Sequence, residues 1–386
     1  MNKEPLKGII VVELAEALAG PYASMMLGDL GADVIKIERP GKGDQSRSWG
    51  PPFVGDQSAY YLSTNRNKRS MTIDLKSETE RLKLQKLLAK ADIFITNIHK
   101  SSSLRNYEID YESLSKVNKK IIFSAISGYG HTGVNKGLPG YDILAQAASG
   151  LMSITGPTPG EFVRFPIPMA DISAGLYSVI AILAALFSRD RSTPSIGQFI
   201  DISLIDAQLS WLSNVAGSYF ANGKNPNNMG NIHPTIAPYQ PVMAKDKLFI
   251  VAVGTERLWG KFCSMLGLES LLIDTRFYTN PLRNANRAEL ISIIETRLAI
   301  KNADEWISLL HKNEIPSGPI NLVSEALNDP HIISREMIVE LEHPALGMIK
   351  NLGSPINFSN TQITYRKHPP TLGEHTQEII DEFSLE

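Results

Sequence analysis

A single cysteine, Cys263, occurs among the 386 residues. No intramolecular disulfide can form, and a reducing compartment such as the cytoplasm is the expected location. The setting of that thiol, Lys-Phe-Cys-Ser-Met, reads as an amphipathic helix, so Cys263 is expected to fill core rather than to react. Charge of one sign is also missing: 38 Lys and Arg face 40 Asp and Glu, a net charge of -2. That balance offers no basic field to nucleic acid. The longest apolar run, Leu176 to Phe187, falls short of the roughly 18 residues of a membrane span, and no membrane association is expected. Met1 to Leu14 shows neither a secretory cleavage pattern nor an arginine-rich transit pattern. Repeats and low-complexity tracts are absent.

Several chemical signatures are lacking as well. The turn after the first strand-like run, Ala15 to Pro21, holds no G-x-G-x-x-G, so the glycine cradle of a dinucleotide pyrophosphate is not there. No P-loop and no G-x-S-x-G elbow occurs, which disfavours P-loop nucleotide chemistry and an α/β-hydrolase triad. The eight histidines show no H-x-x-x-H or H-E-x-x-H spacing, and C-x-x-C is impossible with one cysteine. No metal site and no permanently bound cofactor are expected.

What is present is an alternation. Gly8–Leu14 reads as a buried strand, and Tyr22 to Leu30 as a helix closed by Gly31. Asp33–Arg39, Ser70–Leu75, Ile93–Thr96 and Ile121–Ser127 read as further strands, with a helix from Glu78 to Ala91. A long helix is expected from Asp171 to about Ser188, then a strand over Gln198–Leu204 and an apolar helix to about Phe220. Strands alternating with helices predict an α/β fold: a Rossmann-like parallel sheet covered on both faces. Composition shifts to Asn, Gly and Pro at Ala221–Pro234, a linker signature. A hairpin is expected at Tyr239–Ala244 and Leu248–Val253, then helices around Leu258, Leu290 and Trp306. Met337–Leu341 and Met348–Phe358 look like strands, and Glu374–Phe383 like a closing helix. The expected organisation is a large α/β domain over 1–220, a linker over 221–238, a smaller α+β domain over 239–330, and a return to the large domain over 331–386.

Two residue environments point to chemistry. Eight basic residues fall between Lys36 and Lys76, outnumbering the acids there. For most of them a solvated surface is the simpler account. Arg39 is different, because it follows a strand directly, and open α/β sheets bind ligands at the carboxyl ends of their strands. Its guanidinium suits a phosphate. Asp171 follows Pro166 and Pro168 and precedes a strongly apolar helix. Local sequence alone favours a helix N-cap. The same position would also keep a nucleophilic carboxylate ionised by helix-terminal N–H groups, and Ser173, Ala174 and Gly175 would leave room for a substrate.

Taken in order, a set of segments resembles the family III CoA-transferases, the CaiB/BaiF family. They are Ala19-Gly-Pro-Tyr-Ala, Leu30 to Asp44 (LGADVIKIERPGKGD), Asn67-Lys-Arg-Ser70 with Asp74-Leu-Lys76, and Ala91-Asp92 with Asn97. Ser127-Gly-Tyr-Gly130, Gly140-Tyr-Asp142, the Asp171 segment, and Gly197-Gln198 with Asp201 to Ala207 complete the set, which runs over nearly the whole chain. The resemblance implies a CoA-transferase with Asp171 as covalent nucleophile and Tyr141 beside it. It implies contacts to coenzyme A, a co-substrate, from Ala19, Arg39, Ile73, Lys76, Asn97, Ile98 and Arg105. It also implies an interlocked, ring-like homodimer. Two departures stand out: Asn97-Ile-His-Lys-Ser101 replaces the usual Asn-Phe-Arg-Pro-Gly, and Gly230 to Gln240 replaces a glycine-rich lid. That segment, with Gly318-Pro-Ile-Asn321, Asp329-Pro330-His331 and Leu341-Glu-His-Pro344, looks like the members that use succinyl-CoA and dicarboxylates such as glutarate. The expected partners are therefore an acyl-CoA and a small carboxylic acid.

Two alternatives remain open at this stage. An α-methylacyl-CoA racemase would share the aspartate but pair it with a histidine where this chain has Tyr141, and a phenol is a poor base near neutral pH. A non-catalytic acyl-CoA-binding protein would bind CoA without turnover and would not need Asp171.

Overall fold

The computed structural model describes residues 4–228 and 230–386. Met1 to Lys3, part of the N-terminal segment considered above, and Met229, inside the expected linker, lie outside the described residues. The chain forms two compact units. One comprises Met1–Met152, Arg164–Lys224 and His331–Glu386, and the other Ser153–Val163 and Asn225–Pro330. The chain thus leaves and re-enters the first unit twice. The first excursion, over residues 153–163, carries its own punctuation in Gly156-Pro-Thr-Pro-Gly160, but such a stretch reads as a turn and does not say which unit it joins. Asn228 explains their membership of the second unit. Its Nδ2 donates to the carbonyls of Thr155 (3.0 Å) and Glu161 (2.8 Å).

The first unit is built on a six-stranded sheet. Its strands are β1 (Ile10–Leu14), β2 (Asp33–Glu38), β3 (Lys68–Thr72), β4 (Ile93–Thr96), β5 (Ile122–Ser127) and β6 (Phe199–Ser203). Every pair is parallel, and the spatial order is β3-β2-β1-β4-β5-β6. This is the doubly wound order, with its reversal between β1 and β4. The central strands β1, β2, β4 and β5 are rich in buried Val, Ile and Phe, as a sheet covered by helices on each side requires, whereas β3 (KRSMT) buries charged side chains and β6 is only partly buried at the sheet's edge. β3 begins two residues earlier than the expected Ser70, which leaves Ile73 and Lys76 in the loop beyond its carboxyl end.

Eight helices cover this sheet: α1 (Ala19–Asp29), α2 (Ala59–Thr64), α3 (Glu78–Leu88), α4 (Ser101–Asn106), α5 (Tyr111–Val117), α6 (Asp142–Ala148), α7 (Met169–Arg191) and α8 (Leu204–Leu209). The 23-residue α7 is longer than expected. With a mean hydropathy of 1.9 over its most apolar window, it is long and apolar enough to cross a membrane by length and composition. The run Leu176–Phe187 understates it. Its inner face, with Ala170, Ala174, Val179, Ile182, Ala185 and Leu186, is buried in the core shared with α1, β4 and β5. The expected apolar helix after β6 is broken into α8, a single 3-10 turn, and α9 (Ser213–Asn222).

The returning segment 331–386 adds an antiparallel hairpin, β10 (Ile338–His343) with β11 (Gly347–Leu352), numbered after the three strands of the second unit. It also adds a closing helix over Thr376–Phe383. It is stitched to the sheet by buried charges. Arg66 holds Asp29 at 2.6 Å and the Leu352 carbonyl at 2.8 Å. Arg69 binds Asp33, Glu378 and Glu382 together. In the second unit, β7 (Tyr239–Met243), β8 (Leu248–Ala252) and β9 (Ser317–Pro319) form an antiparallel sheet in the order β9-β8-β7. Trp259, Phe262, Cys263 and Trp306 pack into its core. Cys263 is buried, and burial pushes its thiol up to about 12, so it stays a neutral apolar group.

Candidate active site

A cavity of about 670 Å³ opens at the carboxyl ends of the parallel strands. Each strand delivers side chains to it from the residues just beyond its end. β1 supplies Glu16 and leads to Ala19, β2 supplies Arg39, β3 supplies Ile73 and Lys76, β4 supplies Asn97, Ile98 and His99, and β5 leads to Tyr141. Asp171, in the first turn of α7, completes the wall. Eight of the nine residues singled out in the sequence therefore meet in one cavity. Arg105 does not: it sits exposed in the last turn of α4, where Ser103 and Tyr107 are the residues that reach the cavity.

Two backbone approaches bring these groups together. A Cβ on Gly175 would stand 2.9 Å from the Ala19 carbonyl oxygen and 3.3 Å from the Tyr22 ring. Glycine there lets α7 lie directly against the start of α1, so Asp171 and Ala19 share one cavity. Likewise a Cβ on Gly128 would fall 2.5 Å from the Gly140 Cα. That contact returns the loop after β5 to the sheet edge, and Tyr141 follows it as the residue preceding α6.

Asp171 is not a helix cap. Pro168 occupies the cap position without a side-chain bond, and Asp171 is the third residue of the helix. Its carboxyl is pushed up from 3.8 to about 7, first by burial and then by the charge of Asp142. Asp142 is tied to the start of α7. Its Oδ1 accepts the Ala170 N–H at 2.8 Å, and its Oδ2 accepts from Gln146 Nε2 at 2.6 Å. Gln146 Oε1 in turn accepts the Phe165 N–H at 2.8 Å. One carboxylate and one amide thus fix both ends of the segment leading into α7.

Tyr141 is 64% exposed, with its ring open to the cavity. A second phenol went unnoticed in the sequence. Tyr60, on α2, is pushed up to about 12 by burial, with Asp171, Asp142 and Asp44 adding to it. It remains a protonated hydroxyl facing a cluster of carboxylates. Its edge-on packing with Trp49, centroids 4.9 Å apart, fixes the ring. No local motif signals it.

The basic cluster between Lys36 and Lys76 divides sharply. Arg39, Lys42 and Lys76 are exposed, whereas Lys36, Arg66, Lys68 and Arg69 are buried in ion pairs. Lys36 lies 2.6 Å from Glu13 and 2.9 Å from Asp44, and Lys68 lies 2.9 Å from the other oxygen of Glu13. Burial lowers Lys68 to about 8, while the facing carboxylates raise Lys36 despite its burial. These charges hold the turn after β1. Lys36 Nζ donates to the Ala15 carbonyl at 2.8 Å, and Asp44 Oδ1 accepts the Ala17 N–H at 3.0 Å. Ala17 needs that anchor, because its φ of 69° lies in the left-handed region. The site is therefore an ion-paired floor under a few exposed cations. Among the described residues no cluster of His, Cys, Asp and Glu could hold a metal ion.

The segment Gly230 to Gln240 belongs to the second unit and is pinned within it. Arg287 donates to the carbonyls of His233 (2.8 Å) and Ile236 (2.9 Å), and Asn280 to that of Thr235 (2.7 Å).

Comparison with known proteins matches residues 6–376 to CoA-transferase family III. The chain belongs to that family. It is 41% identical over 387 residues to a succinate–glutarate CoA-transferase of Agrobacterium fabrum, covering 99% of this chain and 96% of that one. It is 38% identical over 381 residues to the succinyl-CoA:glutarate CoA-transferase of Mus musculus, with 99% and 87% covered. A crystal structure of a CaiB/BaiF family protein from Brucella suis superposes with a TM-score of 0.88 at 41% identity, covering 99% of this chain and all of the other. The α/β architecture with its six-stranded parallel sheet is that of the family, and the protein is a CoA-transferase.

Proposed function

We propose that this enzyme moves CoA from succinyl-CoA to a small dicarboxylic acid through covalent intermediates on Asp171. The observation that carries the reading is the Asp171 carboxyl, raised to about 7, in the wall of a cavity lined by Arg39, Lys76, Asn97 and Ile73. A carboxylate of that basicity is a better nucleophile than an ordinary aspartate and is still ionised in half the molecules near neutral pH. Identity to the glutarate-type transferases over 99% of the chain supports the donor and the acceptor class.

Asp171 attacks the thioester carbonyl, the C–S bond breaks, and CoA leaves as the thiolate with a mixed anhydride behind it. The thiolate attacks the aspartyl carbonyl of that anhydride. The donor acid departs as its carboxylate, and Asp171 becomes the CoA thioester. The acceptor carboxylate attacks this thioester and releases the thiolate again, giving a second anhydride. Attack of the thiolate on the acceptor's carbonyl yields the new acyl-CoA and frees Asp171. Every step exchanges one acyl bond for another, so no redox partner is consumed. Arg39 and Lys76 suit the CoA phosphates, Ile73 the adenine face, and Ala19 and Asn97 the chain between. Tyr141, which lines the same cavity, would offer its hydroxyl to the thioester oxygen. A homodimer goes with this reading. Leu176, Ile180, Leu183 and Phe187 form an exposed apolar stripe along α7, with Ile180 61% and Phe187 65% exposed.

Incubation with succinyl-CoA followed by hydroxylamine should convert one residue to its hydroxamate, and peptide mass analysis should place it at Asp171. Asp171→Ala should lower kcat by about a thousandfold or more, as loss of a covalent nucleophile does. Full transferase turnover by that variant would remove the covalent role.

A further inference from the structure

Glu16 is one of five acidic residues in the cavity wall, with Glu38, Asp44, Asp74 and Asp171, and it is the one paired with the exposed Arg39. Coenzyme A carries its phosphates as anions, and a wall built for them has no evident use for a carboxylate. Yet Glu16 is held there firmly. Its N–H donates to Asn97 Oδ1 at 3.2 Å, and its carbonyl accepts Asn97 Nδ2 at 2.9 Å. The next residue is locked by Asp44. These bonds fix the backbone of the turn after β1 from which the side chain projects.

Its partner is Arg39. Glu16 Oε1 lies 3.6 Å from Arg39 Nη2, and both side chains are part exposed, 36% and 63%. In the empty enzyme the guanidinium that suits a CoA phosphate is therefore engaged by a carboxylate. The groups facing that carboxylate are Asp44, Arg39 and Lys36, with the Gln45 N–H bonded to it. Burial and Asp44 raise its proton affinity, while Arg39, Lys36 and Gln45 lower it by less. A phosphate arriving at Arg39 takes over the guanidinium and brings a further negative charge beside the carboxylate. Both changes favour its protonated form.

We propose that Glu16 is a proton-linked gate on the CoA site: it occupies Arg39 in the free enzyme and takes up one proton from solvent when a CoA phosphate replaces it. The protonated carboxyl then donates to a phosphate oxygen instead of repelling it. The proposal rests on the assignment of this cavity to CoA and adds the regulation of that site. Its consequence is that CoA binds more tightly as pH falls through the range in which Glu16 titrates, and leaves more readily as pH rises.

The test is titration calorimetry with CoA on the wild-type enzyme and on Glu16→Gln, in buffers of different ionisation enthalpy, between about pH 5 and pH 8. The proton content of CoA free in solution is common to both proteins and cancels, so the difference reads the Glu16 carboxyl together with the phosphate beside it. The wild type should take up more protons than Glu16→Gln, by up to one per site. Glu16→Gln should bind CoA about tenfold more tightly at the alkaline end, the two converging at the acid end. A second variant, Glu16→Ala, should behave as Glu16→Gln does, which separates the charge from the shape. Equal proton uptake and equal affinity in wild type and variants would overturn the gate while leaving the CoA site in place. Failure of the wild-type enzyme to bind CoA at any pH would overturn both.

Discussion

A carboxylate attacks a thioester only when ionised, yet burial beside a second carboxylate holds the proton on. Asp171 lives with that conflict: its carboxyl is raised to about 7, by burial and by Asp142. The free enzyme should therefore show kcat/KM rising about tenfold per pH unit below pH 7 and levelling above it, because the active form is the deprotonated one. Asp142 supplies part of this shift and also holds the Ala170 N–H at 2.8 Å. Asp142→Asn keeps an oxygen acceptor for that N–H and removes the charge. The acid limb of the profile should then move to lower pH, by about one unit, while CoA affinity stays the same. An acid limb that stays in place would show that burial alone sets the proton affinity of Asp171. Neither contact was legible in the sequence. Asp142 and Ala170 stand 28 residues apart, and nothing in a helical or extended pattern says that a side chain at the start of one helix caps the next.

At the scale of elements, strands were the most legible part, because most are apolar runs too short and too β-branched for a helix; an exception, Lys68–Thr72 (KRSMT), begins two residues before the expected Ser70. In a parallel sheet the residues after each strand face one edge, which marked Arg39 as ligand-facing, whereas Asn97 and Tyr141 were indicated by the family resemblance. Helix starts were less legible than strands. The helix carrying Asp171 begins at Met169, since Pro168 is compatible with the cap position and the chain turns helical directly after it. The close approach of α1 and α7 depends on Gly175, and the sequence shows the glycine without showing what it faces. Gly175→Val should push these helices apart at the Ala19 carbonyl, costing about 1–3 kcal/mol by overpacking. It should also raise the KM for the acyl-CoA donor, because Ala19 moves relative to Asp171. Thermal melts and steady-state kinetics read the two effects separately. A variant with lower stability and unaltered KM would mean that this contact supports the fold without positioning the site.

At the scale of the whole molecule the question is which chemistry this arrangement serves. A racemase would have to withdraw and return a proton at the α-carbon, with a base on each face of it. Asp171 could serve one face. On the other, Tyr141 stands where a histidine would be needed, and Tyr60 is raised to about 12 and so keeps its proton at any working pH. His99 is in the cavity wall, but it leaves from the end of β4 beside Asn97 and Ile98, among the residues assigned to CoA rather than to the acyl group. A transferase needs only one covalent group and a donor for its oxyanion, and Tyr141, in the same cavity wall as Asp171, would meet that need. In heavy water, a 2-methylacyl-CoA incubated with the enzyme should therefore gain no deuterium at its α-carbon, while CoA passes from succinyl-CoA to glutarate in the same buffer. Mass spectrometry follows both in one sample. Deuterium entering the α-carbon without any transfer to the free acid would mean that Asp171 acts on protons rather than on acyl groups, and the covalent reading of the site would fall with it.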